Sequence, residues 1–127
     1  MNGFLLVALG GAIGAALRYG MGLAFTEQGG VSGAWATLTV NVLGSFILGG
    51  LMGWFASREL ALENTLWLFF GVGMMGAFTT FSAFSRDTVH MFMTGEVTKG
   101  LVFAGLNMIG ALAAFAIGLI ALKRVLA

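Results

Sequence analysis

Cysteine and proline are both absent from this 127-residue chain, and charge is scarce. Without cysteine there is no disulfide and no thiolate metal site. Without proline, any interruption of a helix has to come from glycine or from hydroxyl side chains. Charged residues make up 9% of the chain against 59% hydrophobic, with a mean hydropathy of +1.00. A soluble domain of this size needs far more polar surface, so the solvent for most of this chain is lipid. A formal net charge of +1 gives no electrostatic case for nucleic-acid binding. The single histidine, His90, has no carboxylate pair near it and reads as an interfacial group rather than a metal ligand. No nucleophile–base pair, phosphate loop or metal cluster is present, so catalysis has no support. There is no basic stretch ahead of the first apolar run and no small-residue cleavage motif behind a short one. The first segment is therefore expected to remain as a span. No internal repeat, heptad or low-complexity tract interrupts the pattern.

What is present is length. About 20 apolar residues carry a helix across roughly 30 Å of hydrocarbon. Residues Asn2 to Phe25, Ser32 to Ala56, Asn64 to Met93 and Thr98 to Leu122 each meet that requirement. They predict an all-α membrane protein, a single four-helix domain over 1–127 with both termini on one side. Glycine numbers 21 and often recurs at a spacing of four: Gly10 with Gly14, Gly49 with Gly53, and Gly110, Ala114 and Gly118 as a small-residue row. Such rows let helix backbones approach closely inside lipid, and plain helix packing accounts for them.

Four short helices enclose little interior, so a pore or a site of any complexity calls for a second copy. Arg58, Lys123 and Arg124 fall on the side of the termini, and Arg18, Arg86 and Lys99 on the other. That balance gives the insertion machinery no bias to read. A chain without bias inserts both ways, which makes an antiparallel homodimer possible.

The third span carries the densest signal, Gly71-Val72-Gly73-Met74-Met75-Gly76-Ala77-Phe78-Thr79-Thr80-Phe81-Ser82-Ala83-Phe84-Ser85. Glycines followed by paired threonines weaken a helix near mid-membrane. An unwound turn there is tolerated where protein or a bound cation takes up the freed carbonyls. A merely flexible glycine-rich helix fits the spacing equally well. Phe78, Phe81 and Phe84 recur every three residues, with Ser82 and Ser85 on the adjacent face. The rings alone read as lipid-facing or packing residues. Interleaved hydroxyls argue for a partly wet surface, and a phenyl ring edge carries positive charge density that attracts a small anion.

Asn41, in Thr37-Leu38-Thr39-Val40-Asn41, and Asn107 are amides within the second and fourth spans. Each must face protein or water. A bond between helices and a donor to an anion both remain open for them. Arg18, Arg86 and Asp87 also need partners or water at membrane depth, and Arg18 either lines an anion vestibule or snorkels to the headgroups.

The segment Gly76 to Ser85 closely resembles the signature of the Fluc (CrcB) fluoride channels, and Gly14-Ala15-Ala16-Leu17-Arg18-Tyr19 and Thr37 to Asn41 agree with it. The resemblance covers essentially the whole chain. It implies a dual-topology antiparallel homodimer in the bacterial inner membrane, with two parallel fluoride pores along the subunit interface. It implies a structural sodium ion on the two-fold axis, held by backbone carbonyls at Gly76 and Thr79 from both subunits. Phe81 and Phe84 correspond to the rings whose edges face fluoride, and Asn41 to the amide that donates to it. Ser82 and Ser85 go with the same pore, and Arg18 lies at its entrance or at the dimer interface. Two departures stand out. Asp87 occupies a position where Glu is frequent, and Asn107 one where a small polar residue, often Ser, is expected, so its pore contact is carried over from the position.

The rival of another class is a small dual-topology proton-coupled drug exporter. It needs a membrane-embedded carboxylate, and Asp87 is the only acid within any of the four spans. The expectation is thus passive, electrodiffusive export of fluoride.

Overall fold

Four long apolar helices organise the molecule, and the computed structural model describes residues 2–29 and 33–126. Helix α1 spans Gly3–Gly29 and α2 spans Gly33–Ser57. The third run begins as a wide π-helical segment, α3 (Trp67–Met75), and continues through the short α4 (Gly76–Phe78) and then α5 (Phe81–Met93). Helix α6 covers Val97–Leu126. Each of Gly3–Thr26, Gly33–Ser57, Trp67–Met93 and Val97–Val125 is long and apolar enough to cross a bilayer. Ser32, where the sequence places the start of the second span, lies outside the described residues.

The helices associate as two tight pairs, α2 with α6 and α1 with α3. Glycine makes both possible. A Cβ on Gly49 would overlap the carbonyl of Phe115 in α6, and one on Gly118 would overlap the carbonyl of Phe46 in α2. Across the other pair, Gly14 lies directly against the Met74 carbonyl. Lipid tails are as apolar as leucine, so intimate backbone packing, not hydrophobic exclusion, holds these helices together. Outward-facing residues such as Leu9, Ile13, Leu17, Ile109 and Leu112 are extensively exposed, as suits a surface solvated by hydrocarbon.

The third run is where local chemistry overrides helix continuity. Within α3 the backbone is over-wide, and the Gly76 N–H reaches the Gly71 carbonyl five residues back. Extra turns of this kind concentrate at functional sites. Helical dihedrals then stop at Phe78. Thr79 (φ −79°, ψ 157°) and Thr80 (φ −153°, ψ 117°) are extended. Thr80 restarts the helix as its N-cap, its Oγ1 accepting from the Ala83 N–H at 3.1 Å.

The interruption also redistributes the phenylalanines. The regular spacing predicts one face for all three rings, but the extended residues rotate Phe78 away from the other two. Phe78 is buried with Val40 and Met75, while Phe84 is buried with Ala34, Met91 and Phe103.

Candidate functional site

Asn41 of α2 bonds the interruption directly, and Asn107 of α6 joins it through Asn41. The Thr80 N–H donates to Asn41 Oδ1 at 2.7 Å, and Asn41 Nδ2 donates to the Thr80 carbonyl at 3.1 Å. Asn41 Nδ2 also donates to Asn107 Oδ1 at 3.0 Å. Asn107 Nδ2 donates to the Phe103 carbonyl at 3.0 Å. Since a primary amide has two N–H hydrogens, both of those on Asn41 are engaged, while Asn107 keeps one. Thr80 and Asn107 are buried, and every fully buried side-chain polar atom among the described residues has a partner.

This cluster forms one wall of a cavity of about 310 Å³ that Phe81, Phe84 and Thr79 also line. No charged side chain lines it. The two rings meet edge to face, with centroids 5.2 Å apart. Their settings differ: Phe81 is 76% exposed and Phe84 only 8%. A second cavity, about 390 Å³, is lined by Arg18, Tyr19, Thr37, Ala83 and Arg86. Thr80 borders both cavities and so stands between them.

The residues singled out in the sequence therefore divide. Asn41, Asn107, Phe81 and Phe84 come together, whereas Arg18 lines the other cavity. Ser82 and Ser85 line neither. The Ser82 hydroxyl pairs with Thr80 Oγ1 at 3.1 Å, and the Ser85 hydroxyl donates back to the Phe81 carbonyl at 2.9 Å. Gly76 and Thr79 share a backbone property. The Thr80 N–H that would reach the Gly76 carbonyl in a continuous helix goes to Asn41, and the Ala83 N–H that would reach the Thr79 carbonyl goes to Thr80 Oγ1. Uncharged carbonyl oxygens released from a helix ladder form a donor set of the kind that suits a hard monovalent cation.

Two participants were not legible as individual residues. Thr80 stood out only as half of a helix-weakening pair, yet its backbone N–H and carbonyl are both bonded by Asn41. At the mouth, Arg86 Nε and Nη2 both donate to Asp87 Oδ1, at 2.9 and 2.7 Å, and the Thr37 hydroxyl donates to Asp87 Oδ2 at 2.8 Å. Thr37 comes from α2, fifty positions from Asp87, and no sequence spacing signals that partnership.

The described residues thus form four helices able to cross a membrane, with amides, rings and hydroxyls around an uncharged cavity. The chain belongs to the CrcB-like family (CrcB-like protein, Camphor Resistance), whose pattern matches residues 5–119. It is 43% identical over 127 residues to the fluoride-specific ion channel FluC of Hyphomonas neptunium, covering the whole of both chains. A protein of that name from Thermus thermophilus is 46% identical over 104 residues, 82% of each chain, and one from Caulobacter vibrioides is 37% identical over the full length of both. The proteins bearing that name are ion channels, and the family stands outside the enzymes.

Proposed function

We propose that this protein is a fluoride-selective channel that exports fluoride passively, down its electrochemical gradient, across a bacterial inner membrane. The observation that carries the reading is the single uncharged cavity wall shared by Asn41, Asn107, Phe81 and Phe84. Relatives named fluoride-specific ion channels, up to full-length coverage, support it. Fluoride is small and strongly hydrated, so a narrow path must replace its water with hydrogen-bond donors and positive ring edges. Asn107 keeps an amide hydrogen for this purpose, and Asn41 holds the backbone of Thr80 in place beside it. Chloride is larger and is excluded by fit. Arg18 and Arg86 give the neighbouring cavity a positive rim that attracts anions.

The working unit in this reading is an antiparallel homodimer with two pores, because four helices expose more apolar surface than they enclose. The extended residues Thr79 and Thr80 then lie near mid-membrane, at the centre of the run Trp67–Met93. The carbonyls of Gly76 and Thr79, two from each copy, would hold a structural sodium ion. When bound, that ion supplies positive charge that offsets the cost of an anion in a low-dielectric core. The drug-exporter alternative is not favoured: the Asp87 carboxylate is held by Arg86 and Thr37.

Fluoride release from liposomes holding the purified protein tests the reading, with a fluoride electrode and a potassium ionophore to balance charge. Rapid fluoride loss without chloride loss, abolished by Phe81→Ile, is the expected result. Release no faster than from protein-free liposomes, with folded dimeric protein, overturns it.

A further inference from the structure

Most hydroxyl groups in and beside the helices of this protein bond back to a carbonyl of the preceding turn. Thr26, Thr39, Thr79, Ser85, Thr88 and Thr94 each donate to the carbonyl four residues earlier. This back-bonding is how a helix normally satisfies a hydroxyl that water cannot reach. Ser45 sits in the middle of α2, half-buried, with the Asn41 carbonyl four residues behind it. Yet the Ser45 hydroxyl has no hydrogen-bond partner among the described residues. The other hydroxyls left without a partner among the described residues, on Tyr19, Thr65 and Thr98, are exposed.

Ser45 lines the same cavity as Asn41, Asn107, Phe81 and Phe84. One helical turn separates it from Asn41, which places both on the cavity side of α2. A hydroxyl in a membrane span that gives up its own helix's carbonyl needs another acceptor, since hydrocarbon supplies none. Donors already present on this wall are nearly all spent, Asn41 entirely and Asn107 save for one hydrogen.

We infer that the Ser45 hydroxyl is a hydrogen-bond donor to the permeating anion, extending the donor wall one turn along α2 from Asn41. Its ligand class is a small, strongly hydrated anion, and the inference rests on the fluoride-channel reading above. Ser45 takes the proton-donating role that Asn41 is too engaged to fill, and the anion moves between Ser45 and the free Asn107 hydrogen along a wall that carries no fixed charge.

Fluoride flux through liposomes containing wild type, Ser45→Ala and Ser45→Thr tests this, each measured across a range of internal fluoride concentrations. One hydrogen bond to an ion is worth about a tenfold change in occupancy. Ser45→Ala should therefore slow fluoride release about tenfold at low fluoride and raise the half-saturating concentration, while Ser45→Thr, which keeps the hydroxyl, stays near wild type. Dimer content on size exclusion, equal in all three, shows that packing is intact. Wild-type flux and half-saturation retained in Ser45→Ala overturn the donor role and leave the channel reading standing. Ser45→Thr as slow as Ser45→Ala also overturns it, because side-chain packing would then explain the loss. Wild type that releases no fluoride removes the channel reading, and the donor role with it.

Discussion

Asn41 grips both backbone groups of Thr80, accepting from its N–H at 2.7 Å and donating to its carbonyl at 3.1 Å. One side chain thereby replaces two rungs of helix ladder that the extended residues lack. The same grip diverts the Thr80 N–H from the Gly76 carbonyl it would meet in a continuous helix.

Removing that grip should damage stability and transport together. Asn41→Ala strands two buried backbone groups, at a cost of about 1–3 kcal/mol for each. The melting temperature of the detergent-solubilised protein should fall by several degrees, and fluoride release should be lost. Asn41→Asp keeps the acceptor for the Thr80 N–H but loses both donors, and should melt between the two. A melting temperature unchanged in Asn41→Ala would mean that Thr80 finds other partners.

The two phenylalanines that share the cavity should separate in their effects. Phe81 is largely exposed in the single chain, so Phe81→Ile should abolish fluoride flux with little change in melting. Phe84 packs against Phe103 at a centroid distance of 6.0 Å within a buried cluster. Phe84→Ile should reduce flux and also cost about 1–2 kcal/mol of stability through imperfect repacking. Paired flux and thermal-melting measurements distinguish these outcomes.

Helix pairing should depend on individual glycines rather than on glycine content. Gly118→Val forces a side chain into the Phe46 carbonyl and should prevent folded protein from being recovered. Gly105 has nothing within 4 Å of where a Cβ would stand. Gly105→Ala should therefore be neutral, or stabilise the helix by up to about 1 kcal/mol through propensity. Yield and monodispersity after size exclusion read out both.

The positive rim should act through long-range attraction. Arg86→Gln should slow fluoride release about threefold at low ionic strength. The difference should shrink as salt rises, since exposed charges are screened over about 10 Å at 0.1 M. An effect independent of salt would instead point to a direct contact in the path.

The amino-acid sequence by itself determined the solvent and the architecture. Four apolar stretches of membrane length, with charge confined to so few positions, leave no soluble alternative, because burial of that much hydrocarbon has no other solution in a chain this short. It also marked the place where regular structure would be weakest, since glycines followed by Thr79 and Thr80 combine backbone freedom with side chains that compete for backbone hydrogen bonds. Asn41, Asn107, Phe81 and Phe84 stood out for a related reason: amides are costly in lipid, and a polar group there implies a partner. What the tertiary structure alone decided is which partner. That Asn41 spends its hydrogens on Thr80 and Asn107, that Thr37 meets Asp87, and that Phe78 leaves the face of Phe81 and Phe84 all depend on how α2 and α6 seat against the interruption. Those contacts join residues distant along the chain. Their geometry is set by backbone approach at glycines such as Gly49 and Gly118, and no local periodicity encodes it.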